Sequence, residues 1–425
     1  MTRILALTAL LWLPLYAQEA PSVDRAAGLI TADSLKKHLV VIAGDDYEGR
    51  CSGYPGNDKA AEYIANHFKK IGLPPAGEKN DKGEATYFQT FQVRGRNTRN
   101  CLGLAEGSDP VLKEEIVVIG AHYDHVGTPD QANAGRMKNK NADPDDKIWN
   151  GADDNGSGTV TVLEIARAFM EGRLRTKRSV LFMLFSGEEF GLIGSRYYVD
   201  HPLYPLEKTT AMINLDMVGR PGKRKLDVGG TSTAKEWPDL LAKAAEGTGF
   251  EFTTSPGVTP GSDHFSFTSK RIPAVHFFTG FHADYHCQSD HADKIDYEAM
   301  EKIARFGLRL LVLAADHPGR MSAPRRLGID TEEVSRERAK ELGLKEDEGA
   351  ISVLHVRELS AAGKAGVEEG DVLVEFQGKK FPTADPVGTL QSWIQSVPED
   401  TDVTLTVIRD GKRVNLKARW PKKSP

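Results

Sequence analysis

The sequence predicts an α/β fold, a mostly parallel mixed sheet with helices on both faces, followed by a small, mostly β domain. Three observations predict it. Short apolar runs alternate along the chain with segments of helical period, which indicates parallel strands joined by helices. The chain has 425 residues, too many for one ordinary core, so two domains are expected. After a basic, proline-containing stretch at residues 321–326, the pattern changes to closely spaced short strands.

These observations divide the chain into four segments. We expect a signal peptide at residues 1–20, a first domain at 21–320, a linker at 321–326 and a second domain at 327–421. A hydrophobic content of 40% and a charged content of 27% are typical of soluble globular proteins. The formal net charge of −5 provides no basic field, so no nucleic-acid partner is expected.

The first 20 residues have the pattern of an export signal. Arg3 supplies the positive start, and Ile4 to Leu15 form an apolar run too short to span a bilayer comfortably. An uncleaved membrane anchor is the alternative. We expect a secreted or periplasmic protein with no membrane span after cleavage, since no later stretch is long and apolar enough to cross a bilayer.

Export would allow disulfide bonds, and the chain has three cysteines. Cys51, Cys101 and Cys287 permit one disulfide with one thiol left over, and their spacing does not indicate which pair, if any. Three cysteines in a chain of this length exclude a disulfide-framework fold.

The helices and strands are predicted from the spacing of apolar residues and from the residues that start and end helices and form turns. In the first domain, strands are predicted at residues 87–93, 116–121, 180–185, 211–215 and 272–278. Helices are predicted at residues 31–43, 58–71, 159–170, 192–199, 237–246 and 297–315. In the second domain, strands are predicted at 350–357, 372–377, 402–409 and 413–420, with a helix at 387–394.

Acids and imidazoles follow the predicted parallel strands. In open α/β sheets, ligands gather beyond the carboxyl ends of the strands. The side chains at those strand ends are His122, Glu188, Glu189, Asp216 and His286. Asp154 lies on a glycine-rich loop just before a helix. The sequence therefore predicts that these six side chains meet at one edge of the sheet.

Their chemistry is that of a metal site with two ions. Zinc takes imidazole and carboxylate ligands, and two ions about 3.5–4 Å apart need a carboxylate that bridges them. Glu188 and Glu189 are adjacent, so in extended chain they point to opposite faces, and one can bind metal while the other moves a proton. His122 and Asp124 share a side of the chain, which suits an acid that orients a ligating imidazole. Each pattern alone is more often an ordinary loop or turn.

Five motifs in this order resemble a known family. They are Gly120-Ala121-His122-Tyr123-Asp124, Gly151-Ala152-Asp153-Asp154-Asn155-Gly156-Ser157-Gly158, Ser186-Gly187-Glu188-Glu189, Asn214-Leu215-Asp216-Met217 and Tyr285-His286. Over residues 32–315 the chain is similar to the co-catalytic di-zinc aminopeptidases of the bacterial leucyl aminopeptidase type, whose relatives include the glutamate carboxypeptidase II-like enzymes. The resemblance implies a zinc-peptidase/phosphorylase-like fold and two Zn²⁺ ions per chain.

The resemblance also implies a role for each site residue. Asp154 would bridge both ions, His122 and Asp216 would complete one position, and Glu189 and His286 the other. Glu188 would be the general base. Asp124 would not bind metal itself but would orient the ligand His122. Asp263 and His264 resemble a segment that lines the substrate cleft in the family. Tyr285, beside His286, is a further candidate for substrate binding.

Other histidines are weaker candidates. His286 is preferred to His282 as the ligand because a Tyr-His pair followed by Asp290 matches the family's pattern. The remaining candidates are His125, His264, His276 and His291. His276 lies inside an apolar strand, and we interpret it as a hydrogen-bonded core residue.

The second domain resembles a PDZ domain of the kind attached to exported bacterial proteases. Leu327, Gly328 and Ile329 resemble the loop that receives a peptide's C-terminal carboxylate on backbone N–H groups. The resemblance implies a C-terminal peptide as ligand. A β domain that only packs on the peptidase is the alternative.

The predicted function is hydrolysis of the first peptide bond of peptides that carry a free N-terminus. Two alternatives keep the scaffold and change the reaction, a carboxypeptidase acting on acidic C-termini or a cyclase of N-terminal glutamine. A third is a non-catalytic, PDZ-led peptide-binding protein.

Overall fold

The computed structural model describes residues 22–131, 136–138, 143–223, 225–322, 327–358, 360–398 and 400–420. The predicted signal peptide and most of the predicted linker lie outside these residues. The chain divides into two compact units, Met1–Ala323 and Pro324–Pro425. No helix among the described residues combines the length and apolar character needed to cross a membrane.

The first unit contains a mixed α/β arrangement. Its strands are β1 (Phe88–Val93), β2 (Arg96–Ala105), β3 (Ile116–His122), β4 (Ser179–Phe185), β5 (Thr209–Leu215), β6 (Leu226–Gly229), β7 (Phe252–Thr254) and β8 (Ala274–Phe278). Its helices are α1 (Val23–Ala27), α2 (Ala32–Ile42), α3 (Pro55–Lys70), α4 (Gly158–Glu171), α5 (Ile193–Asp200), α6 (Trp237–Ala245), α7 (His264–Ser269) and α8 (Tyr297–Asp316).

These strands form one sheet in the order β1-β2-β4-β3-β5-β8-β6-β7. The four strands β4, β3, β5 and β8 run parallel to one another at its centre. β1 and β2 extend one side in antiparallel pairing, and on the other side β6 runs antiparallel to β8. The predicted fold class is therefore confirmed, with the parallel pairing concentrated at the centre of the sheet.

Both faces of the sheet are covered. Every residue of β3 is buried, as expected for a central parallel strand. Val117 and Ile119 pack into the core shared with α2, α4 and α8, whereas Ile116 and Val118 pack into a second core with residues of α5 and α7. Successive side chains of a strand point to opposite faces of the sheet, so β3 packs against a helical layer on each side.

Local sequence explains where helices begin. The Thr31 side chain accepts a hydrogen bond from the backbone of Ser34 and forms a capping box at the start of α2. Pro55 occupies the first turn of α3, where its missing N–H costs nothing. Asp296 caps α8 by accepting from the backbone N–H of Ala299.

Several elements of the first unit were not predicted. They are β2, β6, β7, α1 and α7. β2 begins with polar, exposed residues and becomes buried only where it pairs with β4, so its sequence lacks the continuous apolar run of a central strand. Cys51, Cys101 and Cys287 are buried free thiols, and no disulfide forms among them.

The second unit has its own antiparallel sheet and its own core. Its strands are β9 (Ile329–Glu333), β10 (Ile351–Val356), β11 (Val372–Phe376), β12 (Lys379–Lys380), β13 (Asp402–Arg409) and β14 (Lys412–Arg419). Its helices are α9 (Arg336–Glu341), α10 (Ala361–Lys364) and α11 (Pro386–Ser396). The order is β14-β13-β11-β10-β9, so β9 lies at an edge of the sheet, and α11 contacts it.

Candidate metal centre

The carboxyl ends of the four central parallel strands carry most of the predicted site. His122 is the last residue of β3, and Asp216 directly follows β5. Glu188 and Glu189 follow β4 in a turn, and His286 lies on the loop after β8. Since β4, β3, β5 and β8 are neighbours and parallel, these segments emerge at the same edge of the sheet.

His122, Asp154 and Asp216 form the first of two donor clusters. The Nε2 atom of His122 lies 3.5 Å from Asp154 Oδ1 and 3.5 Å from Asp216 Oδ1. His122 Nδ1 lies 3.2 Å from the backbone oxygen of Asp124, which accepts its hydrogen, so Nε2 is the nitrogen that faces the two carboxylates. Within the described part of the chain, the buried Oδ1 of Asp216 has no hydrogen-bond partner.

The second cluster consists of His125, Asp154, Glu189 and His286. His286 Nε2 lies 2.9 Å from Asp154 Oδ2 and 3.0 Å from Glu189 Oε2. Burial opposes charge on Glu189, but His286 and the hydrogen bonds from His125 and His286 hold the pKa of this carboxyl far below its usual range. Glu189 is therefore an ionised, buried acceptor.

Asp154 belongs to both clusters through different atoms. Its Oδ1 faces His122, and its Oδ2 faces His286. The side chain is almost fully buried, on the irregular turn Ala152–Ser157 that precedes α4. Its neighbour Asp153 turns the other way, where its carboxylate accepts from the backbone of Gly219 and contacts His282. One carboxylate of the pair thus lies between two sets of donors.

This donor set fits two zinc ions. Zinc binds imidazole and carboxylate at about 2.0–2.2 Å, which places tetrahedral ligands about 3.3 Å from one another. The donor atoms around Asp154 lie 2.9 to 3.5 Å from the imidazole nitrogens they face. Buried carboxylates packed this closely need cations, since burial of unpaired charges is costly. The unpartnered Oδ1 of Asp216 is consistent with that need.

Glu188 stands beside the first cluster without joining either one. Its Oε2 lies 3.9 Å from His122 Nε2, and its side chain is largely buried. Burial raises the pKa of Glu188 well above its usual value, and the nearby charges of Glu189 and Asp216 add to this effect against the opposing influence of His122. Glu188 is thus a carboxyl group outside the donor sets but within reach of a molecule bound there.

Asp124 anchors the turn that carries the two glutamates. The backbone N–H of Glu188 lies 3.2 Å from Asp124 Oδ1, and that of Glu189 lies 3.4 Å from Oδ2. The hydroxyl of Ser52 donates to the same carboxylate at 2.9 Å. His122 Nδ1 is farther from the carboxylate, 3.7 Å from Oδ1. The Asp124 carboxylate therefore hydrogen-bonds to the glutamate turn, whereas the imidazole that the sequence assigned to it lies within hydrogen-bonding distance of the backbone oxygen of Asp124.

Asp290 holds the turn that carries Asp154. Its Oδ2 accepts from the backbone N–H groups of Asp153 and Asp154, at 2.9 and 3.1 Å. The sequence used Asp290 only as a pattern marker for His286. In both cases, an acid that follows a predicted ligand by a few residues fixes the backbone of a different ligand-bearing segment.

Arg50 is a buried residue that the sequence analysis missed. Its guanidinium is fully buried and donates only to backbone carbonyls, those of Tyr123, Ile42, Asn150 and Gly151. Burial lowers its pKa to about 10, while the charges of Asp290, Asp124, Asp154 and Glu189 oppose that change. Arg50 ties the exit of β3 to the loop before α4, and its charge faces the acids of both clusters.

The remaining predicted residues line the surroundings. Asp263 is buried, burial raises its pKa to about 7, and neither of its oxygens meets a hydrogen-bond partner among the described residues. Tyr285 stacks on His286, with ring centroids 3.9 Å apart. His264 stacks on His276 at 4.4 Å. His276 was interpreted as hydrogen-bonded, but its buried Nε2 has no partner in the described chain, so that interpretation is wrong for this atom.

The two lower-ranked histidines near the site differ in placement. His282 Nε2 lies 3.1 Å from Asp153 Oδ2 and belongs to neither cluster. His125, ranked low, belongs to the second cluster. Its only sequence signal was its position three residues after His122, which a loop residue could share by chance.

In the second unit, the predicted carboxylate loop begins the edge strand. Leu327 is buried in the unit's core, and Ile329 is the first residue of β9. Gly328 has φ +83°, and a Cβ there would approach the Cβ of Ser360 to 2.1 Å, so glycine is required at this position.

Two family models match the chain. The model of peptidase family M28 matches residues 100–311, and that of the PDZ domain matches residues 326–419. Aminopeptidase YwaD of Bacillus subtilis is 28% identical over 252 residues, which are 55% of this chain and 50% of that relative. The chain spans about half the length of the curated relatives it matches.

Solved structures share the fold of the first unit. The Legionella pneumophila LapA aminopeptidase has a TM-score of 0.54 at 21% identity, covering 71% of this chain and 78% of that one. The glutaminyl cyclase of Porphyromonas gingivalis has a TM-score of 0.54 at 21% identity, covering 67% of this chain and 98% of that one. The chain belongs to peptidase family M28, represented by residues 100–311, and carries a PDZ domain in residues 326–419.

Proposed function

We propose that this protein is a zinc-dependent aminopeptidase that hydrolyses the first peptide bond of peptides with a free N-terminus. One observation carries the proposal: the two oxygens of Asp154 face two different donor clusters, His122 with Asp216 and His286 with Glu189. Family membership and the curated aminopeptidase relative support it. When bound, two zinc ions would polarise the scissile carbonyl and lower the pKa of a water molecule.

Five residues would hold the two ions, with Asp154 common to both positions. His122 and Asp216 would complete the first position, and Glu189 and His286 the second. Glu188 would serve as the general base, because it is a carboxylate beside the first cluster that belongs to neither donor set. It would accept a proton from the attacking water and deliver it to the leaving amine. Asp124 would keep Glu188 in place through the backbone of the glutamate turn.

The charge of the site favours an amine over a carboxylate at the substrate's end. Asp154, Glu189 and Asp216 face the space between the clusters. Arg50, a buried cation on which the charges of Asp154 and Glu189 act, has hydrogen bonds to four backbone carbonyls and does not offer its guanidinium to a ligand. A carboxypeptidase would need a cationic group at the cleft for the substrate's carboxylate.

Zinc content and a panel of aminoacyl chromogenic substrates test the proposal together. We expect two zinc ions per chain, turnover of free-amine substrates and none of their N-acetylated versions. Cleavage of the blocked substrates would contradict the aminopeptidase assignment. Cyclisation of N-terminal glutamine with one zinc per chain would favour the cyclase, whose fold the first unit shares. Zinc-dependent turnover by the first unit alone would exclude the non-catalytic, PDZ-led alternative.

For the second unit we propose binding of a peptide C-terminus along β9. The supporting observations are its edge position, its contact with α11 and the left-handed Gly328 at the start of the strand. Binding would place the terminal carboxylate near the backbone of Leu327, Gly328 and Ile329. Titration with peptides that have a free or an amidated C-terminus tests this, and equal affinities for both would contradict it.

We also propose that the protein is exported, on the strength of the charged and apolar pattern of residues 1–20. Fractionation of cells expressing the full chain tests this, together with the N-terminal sequence of the product.

A further inference from the structure

His125 lies three residues beyond His122 and is completely buried. Its Nδ1 atom lies 2.9 Å from Glu189 Oε1, a hydrogen-bonding distance, and 3.8 Å from Asp154 Oδ2, which is longer than a hydrogen bond. Glu189 is therefore its direct partner in the second donor cluster.

The donor in this pair is identified by chemistry. An ionised carboxylate only accepts hydrogen bonds, so the hydrogen must be on His125 Nδ1. Its buried Nε2 has no hydrogen-bond partner among the described residues. Glu189 is thus the hydrogen-bond partner that the described part of the chain provides for this imidazole.

The two oxygens of Glu189 are thereby assigned different partners. Oε1 accepts from His125, and Oε2 lies 3.0 Å from His286 Nε2. A carboxylate with one oxygen occupied in this way offers the other to a cation. Without His125, Glu189 could rotate and present both oxygens at once.

The local backbone makes room for the imidazole. A Cβ on Gly151 would lie 2.3 Å from Cδ2 of His125, which is too close for two carbon atoms that are not bonded, so a residue with a side chain does not fit here. Gly151 has φ +56° and starts the turn that carries Asp154. The turn that supplies the bridging carboxylate is therefore shaped to pass over the His125 ring.

We propose that His125 is a positioning residue of the second metal position, holding Glu189 through Oε1 so that Oε2 alone faces the ion. The proposal rests on the two-zinc site of the proposed function. It predicts that the two positions respond differently to loss of His125, because His122 and Asp216, which complete the first position, share no donor cluster with this imidazole.

Three variants of the full chain test the proposal. His125→Leu and His125→Gln remove the donor at Nδ1, since the glutamine amide lies one carbon farther out. His125→Asn is the conservative variant, because its amide nitrogen falls near the position of Nδ1. His201→Leu, which alters an exposed histidine outside both clusters, is the matched control.

Zinc affinity at each position is measured by chelator competition. We expect wild type, His201→Leu and His125→Asn to bind two ions with affinities within about threefold of one another. In His125→Leu and His125→Gln we expect the second position to lose roughly 10- to 100-fold in affinity, the usual effect of removing a hydrogen-bond partner of a metal ligand. The rise in melting temperature on adding zinc, measured for each variant against its own metal-free form, should shrink.

Two results would overturn this inference without affecting the proposed function. One is undiminished binding of the second ion by His125→Leu and His125→Gln, and the other is a loss of zinc affinity in His125→Asn as large as in those two variants. The second result would mean that the imidazole itself ligates the ion. The visible spectrum of the cobalt-loaded protein separates these cases, because only loss of a ligand changes the donor set. Fewer than two ions bound by the wild type would contradict the proposed function itself, and this inference with it.

Discussion

Asp154 is the residue on which the candidate site depends. Its Oδ1 and Oδ2 face different imidazoles, so its removal would affect both proposed metal positions, whereas Asp216 and Glu189 each serve one. The sequence could indicate this residue, because a glycine-flanked acid before a helix follows a strand that ends in His122. The residue pattern alone could not indicate which of Asp153 and Asp154 turns inward, and only the resemblance to the family selects Asp154. That choice depends on the backbone N–H of Gly219, which donates a hydrogen bond to the Asp153 carboxylate.

The first prediction concerns Glu188. Replacing it with Gln keeps the size and the hydrogen-bonding capacity of the side chain but removes the base. We expect turnover to fall by about 10²–10⁴, the usual contribution of a general base, with zinc content unchanged. Metal analysis and steady-state kinetics on the same preparation check this. Near-normal turnover by the zinc-loaded variant would refute the role.

Residues that act through the backbone were beyond sequence analysis. The sequence placed Asp124 beside His122, and the structure also gives it the N–H groups of Glu188 and Glu189. Arg50 and Ser52 lie more than 60 residues from any predicted ligand in the sequence, and no periodicity marks them. Such contacts join distant segments, so only the folded chain reveals them.

At the scale of elements, the site is held together by hydrogen bonds among four short segments. The exit of β3 carries Asp124, which fixes the glutamate turn after β4. The loop after β8 carries Asp290, which fixes the turn before α4. Arg50 then joins that turn to β3 through Tyr123 and Gly151. The glutamate turn and the turn before α4 are therefore each fixed by an acid from another ligand-bearing segment.

Replacing Arg50 with Lys tests this arrangement. Lysine has three donors and no fork, so it leaves at least one of the four bonded carbonyls buried without a partner. We expect the free energy of unfolding to fall by on the order of 1–3 kcal/mol per carbonyl, together with weaker zinc binding. Denaturant unfolding with and without zinc measures both effects.

Arg309→Lys is the control, because Arg309 forms a surface ion pair with Asp24 whose contribution should be small. Equal effects of the two substitutions on zinc affinity would contradict a positioning role for Arg50.

A second element-scale prediction concerns the contact between α2 and α4. Burial would raise the pKa of Glu164, but hydrogen bonds from Arg167, His38 and Ser34 lower it to about 2. A carboxyl whose folded pKa is depressed stabilises the fold above its unfolded pKa, near 4.5, and loses that contribution as pH falls towards 2. We therefore expect the wild type to lose stability between pH 5 and 3 more steeply than Glu164→Gln.

The control for that experiment is Glu171→Gln. Glu171 pairs with the same Arg167 but is half exposed, so its removal should leave the acid slope of the unfolding free energy nearly as in the wild type. Indistinguishable slopes for wild type and Glu164→Gln would contradict the assignment.

The elements themselves were largely predictable. Long helices and buried strands have strong periodic signals, and β3, β4, β5 and α8 appear within two residues of their predicted bounds. β2, β6 and β7 were missed because edge and antiparallel strands of mixed polarity resemble loops in sequence. β9 was missed because it has only five residues, three of which are exposed acids.

For the whole molecule, the proposed catalysis and the proposed peptide binding belong to different units. The six residues of the two donor clusters, together with Glu188, lie in the first unit, and the two units have separate hydrophobic cores. We therefore expect a chain that ends at Ser322 to retain zinc and turnover of short aminoacyl substrates. Loss of turnover with zinc retained would mean that the second unit contributes to catalysis.

The most direct measurement of the central claim is zinc stoichiometry in the wild type, Asp154→Asn and Asp216→Asn. Two ions that share Asp154 predict two zinc ions per wild-type chain, weaker binding of both in Asp154→Asn, and weaker binding of one in Asp216→Asn. A wild-type chain that binds a single zinc ion, or an Asp154→Asn variant that binds two with unchanged affinity, would contradict it.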